Sequence, residues 1–468
     1  MAETFNNTVQ VLKNDVFIYP KDQELTVDEL KWLINRNEQI ANDKYDKLMA
    51  YYVGRHDILD KPNKVSGAAP KLVNNMPRYL VNTYNGFFTG IPPKITLPNA
   101  SENETLQDWN NTNSIFDKTS ELSKQVDIFG RSLFYVYQDE EGNTCVTVSS
   151  PTHSFMIYDD TVSHKPLAFA RYYRTSKSEL KATIWYAHHV VDLINDSLID
   201  HVFDDNEAKD GVNIYGQVPA VEFYETEERE SLYGGGILTL VDALDDTLSQ
   251  KLDNINYLAD SYMYLLGGRV DNDEIKLMRL NRFIQVDGTD AVNMKIGFLE
   301  RPDGDNIQEH MIEHLNQTIH EDTGIPDMKD EAFSGNSSGV AIRYKLMPME
   351  NRAMTKERKF TQALRKLYKI VFSPFTKILD NPDAWQDLSF KFTRNIPANV
   401  ADEVSTAKNA EGIVSHKTQL SMISTVTDPQ AELEEVAKEK TEAIKQAQNA
   451  IGANPDLLNE DETDEEED

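Results

Sequence analysis

The sequence predicts an α+β fold. Short β-branched and aromatic runs of period two are confined to residues 131–224, and apolar residues recur every three or four positions on both sides of that region. From Ile237 onward an apolar stripe continues unbroken to Leu265, which sets the second half of the chain apart from the first.

Taken in order, residues 26–53 carry Leu30, Leu33, Ile34, Ile40, Leu48 and Tyr52 at helical spacing, and Thr26 with Glu29 forms a capping-box pattern. A second helix is predicted over 74–90, stopped by Gly90 and Pro92-Pro93. Between Arg131 and Tyr224 the runs SLFYVY (132–137), CVTV (145–148), SFMIY (154–158), LAFARYY (167–173), ATIWYAHHVVDLI (182–194) and AVEFY (220–224) predict one antiparallel meander. Glu141-Gly142-Asn143 and Asp210-Gly211 supply turns within it.

Gly234-Gly235-Gly236 reads as a flexible joint before a helix over 237–266, of about 30 residues and about 45 Å at 1.5 Å per residue, ended by Gly267-Gly268. Asp242, Asp245, Asp246, Asp253 and Asp260 lie largely off its apolar stripe, so one side is strongly acidic. A compact insert, 269–304, contains the strand-like runs RFIQVDG and VNMKIGF. Asp305 and Gln308 then cap a second helix to Thr323, ended by Gly324-Ile325-Pro326. Residues 327–339 form a polar loop, and a long helix follows from about Val340 to Phe372, which Pro348 is expected to kink. Three helices close the chain, over 399–410, 415–426 and 429–451.

Composition excludes several classes of protein. With 468 residues, 40% of them hydrophobic and 27% charged, the chain can bury a substantial core. No apolar run approaches the length of a membrane span, and MAETFNNTVQ lacks the basic and apolar regions of a secretory leader, so a soluble protein made inside the cell is expected. The single Cys145 permits neither an internal disulfide nor a cysteine-based zinc site. Lys and Arg number 47 against 78 Asp and Glu, a net charge of −31, which opposes broad binding along a DNA duplex. From Gln430 onward 14 acids face 3 lysines, and the tail EDETDEEED is expected to be disordered.

Two literal catalytic signatures fail on context. His310, Glu313 and His314 match H-x-x-E-H, with His320 and Glu321 as the nearest further ligands, but the motif falls on an acid-rich surface helix. Gly335–Gly339 matches G-x-S-x-G, yet PDMKDEAFS before it is no strand and only His416 follows as a partner histidine. There is no P-loop, and Gly234–Gly236 does not fit a dinucleotide fingerprint. The basic stretch Arg352, Lys356, Arg358, Lys359, Arg365, Lys366 and Lys369 holds one acid, Glu357. Given the surrounding acidity it reads as pairing within or between subunits rather than as a nucleic-acid contact. No catalytic residue, cofactor or metal is expected.

Several strings together resemble the portal, or head-to-tail connector, proteins of tailed double-stranded-DNA bacteriophages, of the siphophage type that infects Gram-positive hosts. They are YYVGRHDIL (51–59), NNMPRYLVNTYNGFFTGIPPKI (74–95), DIFGRSLFYVYQDEEG (127–142), GQVPAVEFYETEERES (216–231), DEAFSGNSSGVAIRYKL (330–346) and GIVSHKTQLSMISTVTDPQAELEEV (412–436). Their joint order covers the chain from about residue 30 to 440.

The resemblance implies a structural subunit of a homo-oligomeric ring, a dodecamer, at one capsid vertex of the virion, through which double-stranded DNA is packaged and ejected. Its partners would be terminase, the head–tail adaptor, scaffold and major capsid proteins, with no membrane. In this numbering, 1–235 would be a mixed α/β wing, 236–268 and 305–325 the paired stem helices, and 269–304 a small α/β clip. Residues 326–397 would hold the tunnel loop and a long wing helix, 398–452 the all-α crown, and 453–468 a disordered acidic tail. Asp242, Asp246 and Asp253 would line the channel. The tunnel loop would fall among Asn336, Ser337, Ser338, Met347, Met349 and Asn351, and Lys276, Arg279 and Arg282 would meet partners at the clip.

Elementary electrostatics agrees with a channel. B-DNA carries one charge per ~1.7 Å of axis, and each cation that pairs with a phosphate adds affinity, whereas an acidic wall holds nothing. Its field reaches only about a Debye length, ~8 Å at physiological salt, so it acts only across a closely fitted gap. The rival readings are a metal-dependent hydrolase using the H-x-x-E-H helix, and a capsid scaffold or adaptor without a channel.

Overall fold

The computed structural model describes the chain apart from residues 1–2, 7, 63–68, 195, 203–210, 260–262, 267–294, 299–304, 329–338, 397–399, 424, 427–428 and 453–468. It divides into two compact units, Met1–Asn395 and Ile396–Asp468. The first mixes helices with sheets, and the α+β class holds.

The first unit opens on three strands too short to show a period, β1 (Glu3–Phe5), β2 (Val9–Val11) and β3 (Phe17–Tyr19). Helix α1 (Val27–Ile40) starts at the expected capping box: the Thr26 hydroxyl accepts from Glu29 N–H at 3.3 Å, and the Glu29 carboxylate accepts from Thr26 N–H at 3.0 Å. A π-helical turn, Ala41–Tyr45, leads into α2 (Asp46–Tyr52) and re-phases the buried face, so that both Tyr45 and Tyr51 point inward. Asn75 caps α3 (Met76–Thr89). Strand β4 (Lys94–Thr96) and helices α4 (Ala100–Thr112) and α5 (Ile115–Phe129) follow. The last two carry no expectation from the sequence.

The predicted meander is split between two sheets. Strands β7 (Ser154–Asp159), β8 (Pro166–Arg174), β9 (Leu180–Tyr186), β10 (Val190–Ile194) and β11 (Ser197–Asp200) are antiparallel neighbours in chain order, and β3 joins them in parallel beside β7. Strands β5 (Arg131–Gln138) and β6 (Thr144–Ser149) instead form a separate sheet with β12 (Ala220–Tyr224), in the order β12-β5-β6. The physical reason lies in β5. Phe134 belongs to the main core, while Leu133, on the opposite face, packs with Met156, Phe169 and Ala220 between the two sheets. As the middle strand of its sheet β5 is buried on both faces, and it meets β7 and β8 of the other sheet across the layer between them.

Helix α6 (Gly236–Ala259) ends earlier than its apolar stripe predicts. Residues Met263–Leu266 form β13, paired antiparallel with β14 (Lys295–Phe298) from the expected VNMKIGF run. Four consecutive apolar residues fit either period, and a partner strand decides for β. Helix α7 (Asp305–Thr323) packs beside α6; Lys251 pairs with Glu309, and Asn254 donates to Gln308 at 3.3 Å. Helix α8 (Gly339–Val371) runs on through Pro348, which lies on the exposed side where water can take the freed carbonyl. Strand β15 (Ser389–Lys391) returns to pair with β4.

Among the described residues of the second unit the helices are α9 (Val400–Asn409), α10 (His416–Ser421) and α11 (Pro429–Gly452). Gln419 donates to the Ala407 carbonyl at 3.0 Å, tying α10 to α9. Helix α10 stops five residues short of expectation, as the β-branched residues Ile423, Thr425 and Val426 follow it. Among the described residues no helix is long and apolar enough to cross a membrane. The acidic tail lies outside the described residues.

Candidate functional site

The acidic side of α6 is a docking stripe. Asp242, Asp245, Asp246 and Ser249 follow helical spacing along it, and each holds part of the segment between residues 51 and 74. Asp245 is fully buried; one carboxylate oxygen lies 2.5 Å from His56 Nδ1 and the other accepts from Asn74 N–H at 2.7 Å. The second ring nitrogen of His56 faces the Tyr51 carbonyl at 3.1 Å, and the imidazole stacks on the Tyr51 ring at 4.5 Å. Tyr51 in turn donates its hydroxyl to Asp242 at 2.5 Å. Burial, reinforced by that carboxylate, pushes the phenol upward and keeps it a donor. Asp246 pairs with Lys61 at 2.6 Å, and the Ser249 hydroxyl accepts from Leu72 N–H at 2.9 Å. Asp253, half-buried, lies two turns further toward the insert.

Helix α8 is held by its basic residues. Lys356 meets Asp127 of α5 at 2.5 Å, with neither side chain exposed, and its ammonium lies 4.7 Å from the Tyr84 ring centroid and 5.0 Å from that of Phe88. Burial pushes the Asp127 carboxyl up to about 6 against the pull of Lys356. One turn back, Arg352 pairs with Glu225 at 2.7 Å. Nearby, Glu222 of β12 lies 3.2 Å from Arg131 and 3.0 Å from Arg229 and accepts from the Tyr158 hydroxyl at 2.7 Å. Burial opposes its ionisation, but Arg229 and Arg131 outweigh it and draw the carboxyl down to about 2. Gly130 makes this junction possible. It sits at φ +86°, and a Cβ there would fall 2.1 Å from the Arg229 carbonyl oxygen. Further along α8, Arg365 donates to the carbonyls of Trp385, Gln386 and Leu388 at 3.1, 2.7 and 2.9 Å. Much of the basic stretch is therefore paired within the chain.

These two helical supports belong to a chain whose sequence matches a known family over most of its length: the family model described as phage portal protein, SPP1 Gp6-like, matches residues 30–446. The chain belongs to this family. It is also similar to a protein of Clostridium phage phiCD119 that carries the name portal protein, at 23% identity over 402 residues, covering 79% of this chain and 86% of the relative. A phage of Clostridium accords with the Gram-positive hosts that the resemblance implied. The protein is thus a structural portal subunit of a bacteriophage capsid, in a family whose members are structural rather than enzymatic and carry the packaging and connector roles of the capsid.

In the portal subunit, Met347, Met349 and Asn351 lie within α8 and not in a loop; Met347 and Asn351 are exposed, and Met349 is buried. Met349 joins Leu346 and Ala353 on the inner face, at helical spacing of three and four. Asn336, Ser337, Ser338, Lys276, Arg279 and Arg282 lie outside the described residues, as does all but the last residue of Gly335–Gly339. On α7, His310 and Glu313 are 81% and 68% exposed at 3.5 Å from one another. His320 is committed to the Ile325 carbonyl at 2.7 Å. No sequence signal anticipated His56–Asp245 or Lys356–Asp127, whose partners lie 189 and 229 residues apart.

Proposed function

We propose that the portal subunit closes into a dodecameric ring in which α6 and α7 form the stem around the DNA channel. The observation that carries this is the pairing of two long helices directly before and after the stretch 260–304, within a chain of the portal family. Residues 269–304 form the clip, which docks terminase during packaging and the head–tail adaptor afterward; Lys276, Arg279 and Arg282 offer the cations for those contacts. A separate terminase motor supplies the ATP chemistry. Residues 1–235 with α8 form the wing, facing scaffold and major capsid protein, and 398–452 form the crown. The tunnel loop falls to Asn336, Ser337 and Ser338, ahead of α8.

Asp242, Asp246 and Asp253 carry the acidic lining. Asp242 and Asp246 are engaged by Tyr51 and Lys61. They stiffen the stem's root, and Asp246 has its charge balanced locally. Asp253 lies nearer the insert, and the three carboxylates together supply the repulsion of DNA.

Negative-stain electron microscopy of the purified chain tests the ring: annular particles with a central hole are expected, and a compact monomer under every assembly condition would overturn it. Replacing Asp242, Asp246 and Asp253 with Lys should slow DNA passage, and an unchanged packaging yield would remove the lining.

A further inference from the structure

A cleft of about 690 Å³ opens between α8 and the edge of the two sheets. Its floor is apolar, including Met156, Val218, Ala363 and Ile370, and its wall is basic. Lys359, Lys366 and Lys369 come from one side of α8, spaced by seven and then three residues, Lys165 from the turn between β7 and β8, and Arg229 from beyond β12. Two carboxylates share the cleft. Glu222 is bound by Arg229, and the exposed Glu227 is bound by Lys359. Among the described residues Lys369 has only a neutral side-chain partner, lying 5.2 Å from the Trp385 ring centroid. Lys165 and Lys366 are exposed and make no ion pair among the described residues. In a chain of net charge −31 this local excess of positive charge stands out, while Arg352, Lys356 and Arg365 of α8 bind its own fold.

We propose that this cleft seats an acidic segment of the neighbouring copy in the ring, an inference that rests on the ring reading above. In a closed ring of more than two copies each contact is head-to-tail, so one face of the subunit must complement a different face of the next. Every copy brings a charge of −31, and their approach is opposed unless cations on one face meet carboxylates on the other. The apolar floor then desolvates the pairs, which strengthens them over exposed ones. Duplex DNA fits less well, since carboxylates line the same cleft and the chain as a whole repels phosphate.

The test uses the full-length chain. Rings assembled from an equal mixture of isotope-labelled and unlabelled chains are treated with a zero-length carbodiimide, which joins amines to carboxylates in contact, and the joined peptides are read by mass spectrometry. Lys165 or Lys366 should be coupled to Asp or Glu in mixed-isotope pairs as often as in same-isotope pairs. The double variant Lys165→Glu/Lys366→Glu changes only exposed side chains; its unassembled chain should melt at the wild-type temperature while its ring yield at physiological salt falls about tenfold or more. Wild-type rings with coupling confined to same-isotope pairs, or variant rings at wild-type yield, would overturn the inference and leave the ring standing. Protection of these lysines by a short duplex DNA, with ring yield unaffected by the variant, would reassign the cleft to nucleic acid. Failure of the wild-type chain to form any ring would remove both readings together.

Discussion

Lys356 of α8 and Asp127 of α5 meet at 2.5 Å with both side chains sealed from solvent, and aromatic rings close around the ammonium. Two ions removed from water are stable only while each has the other, and that mutual dependence fixes how α8 lies on α5.

Breaking the pair from one side should therefore cost more than removing it. Lys356→Ala is expected to lower the unfolding free energy of the full chain by about 3–5 kcal/mol, because a buried carboxyl loses its counter-charge. Lys356→Met combined with Asp127→Leu should recover most of that loss. Denaturant unfolding of the three chains checks both outcomes, and equal losses in the single and double variants would contradict the argument.

Two buried carboxyls should respond to acid with opposite sign. Glu222 is held at about 2, below its ordinary 4.5, so its contribution is complete above pH 4.5 and is lost as pH falls toward 2. Glu222→Gln should cost about 3 kcal/mol at neutral pH and flatten the stability profile across that window. Asp127, raised from 3.8 to about 6, contributes fully below pH 3.8 and loses that contribution as pH rises through 6. Asp127→Asn should remove that slope. Unfolding curves collected between pH 2 and pH 7 separate the two.

The His56–Asp245 contact anchors the segment after α2 to the first turns of α6. Both ring nitrogens face oxygen acceptors, so Asp245→Asn weakens one strong contact and leaves the imidazole poorly matched. A loss of about 2–4 kcal/mol is expected, accompanied by faster amide exchange at Leu72 and Asn74, whose N–H groups are bound by Ser249 and Asp245. Exchange unchanged at those two amides would show that the segment is held by other means.

Gly130 should tolerate no side chain. Its positive φ and its approach to the Arg229 carbonyl mean that Gly130→Ala shifts the backbone carrying Arg229. A loss of at least about 2 kcal/mol, read as a lower melting temperature, is expected. Glu222→Gln should then add little further loss, because both changes disturb the same cluster.

Local chemistry was legible where it is decided within a few residues. Thr26 and Glu29 cap α1 as their spacing requires, Gly142 turns β5 into β6 at φ +80°, and the stripe from Ile237 marks α6. Met263–Leu266 was not legible as strand, because a short apolar run acquires its identity from the partner at Lys295–Phe298. The same holds for β5: Leu133 and Phe134 look alike in sequence, and only the stacking of two sheets sends them to different cores.

By itself the sequence determined the α+β class, the helical periods, the excess of negative charge and, through the order of its strings, membership of the portal family. Tertiary structure alone decided which charges face inward. Asp245 and Asp246 are neighbours of the same type, yet one is buried against His56 and the other pairs with exposed Lys61. A helix turns 100° per residue, so adjacent carboxylates meet different surroundings, and those surroundings are built by residues nearly two hundred positions away.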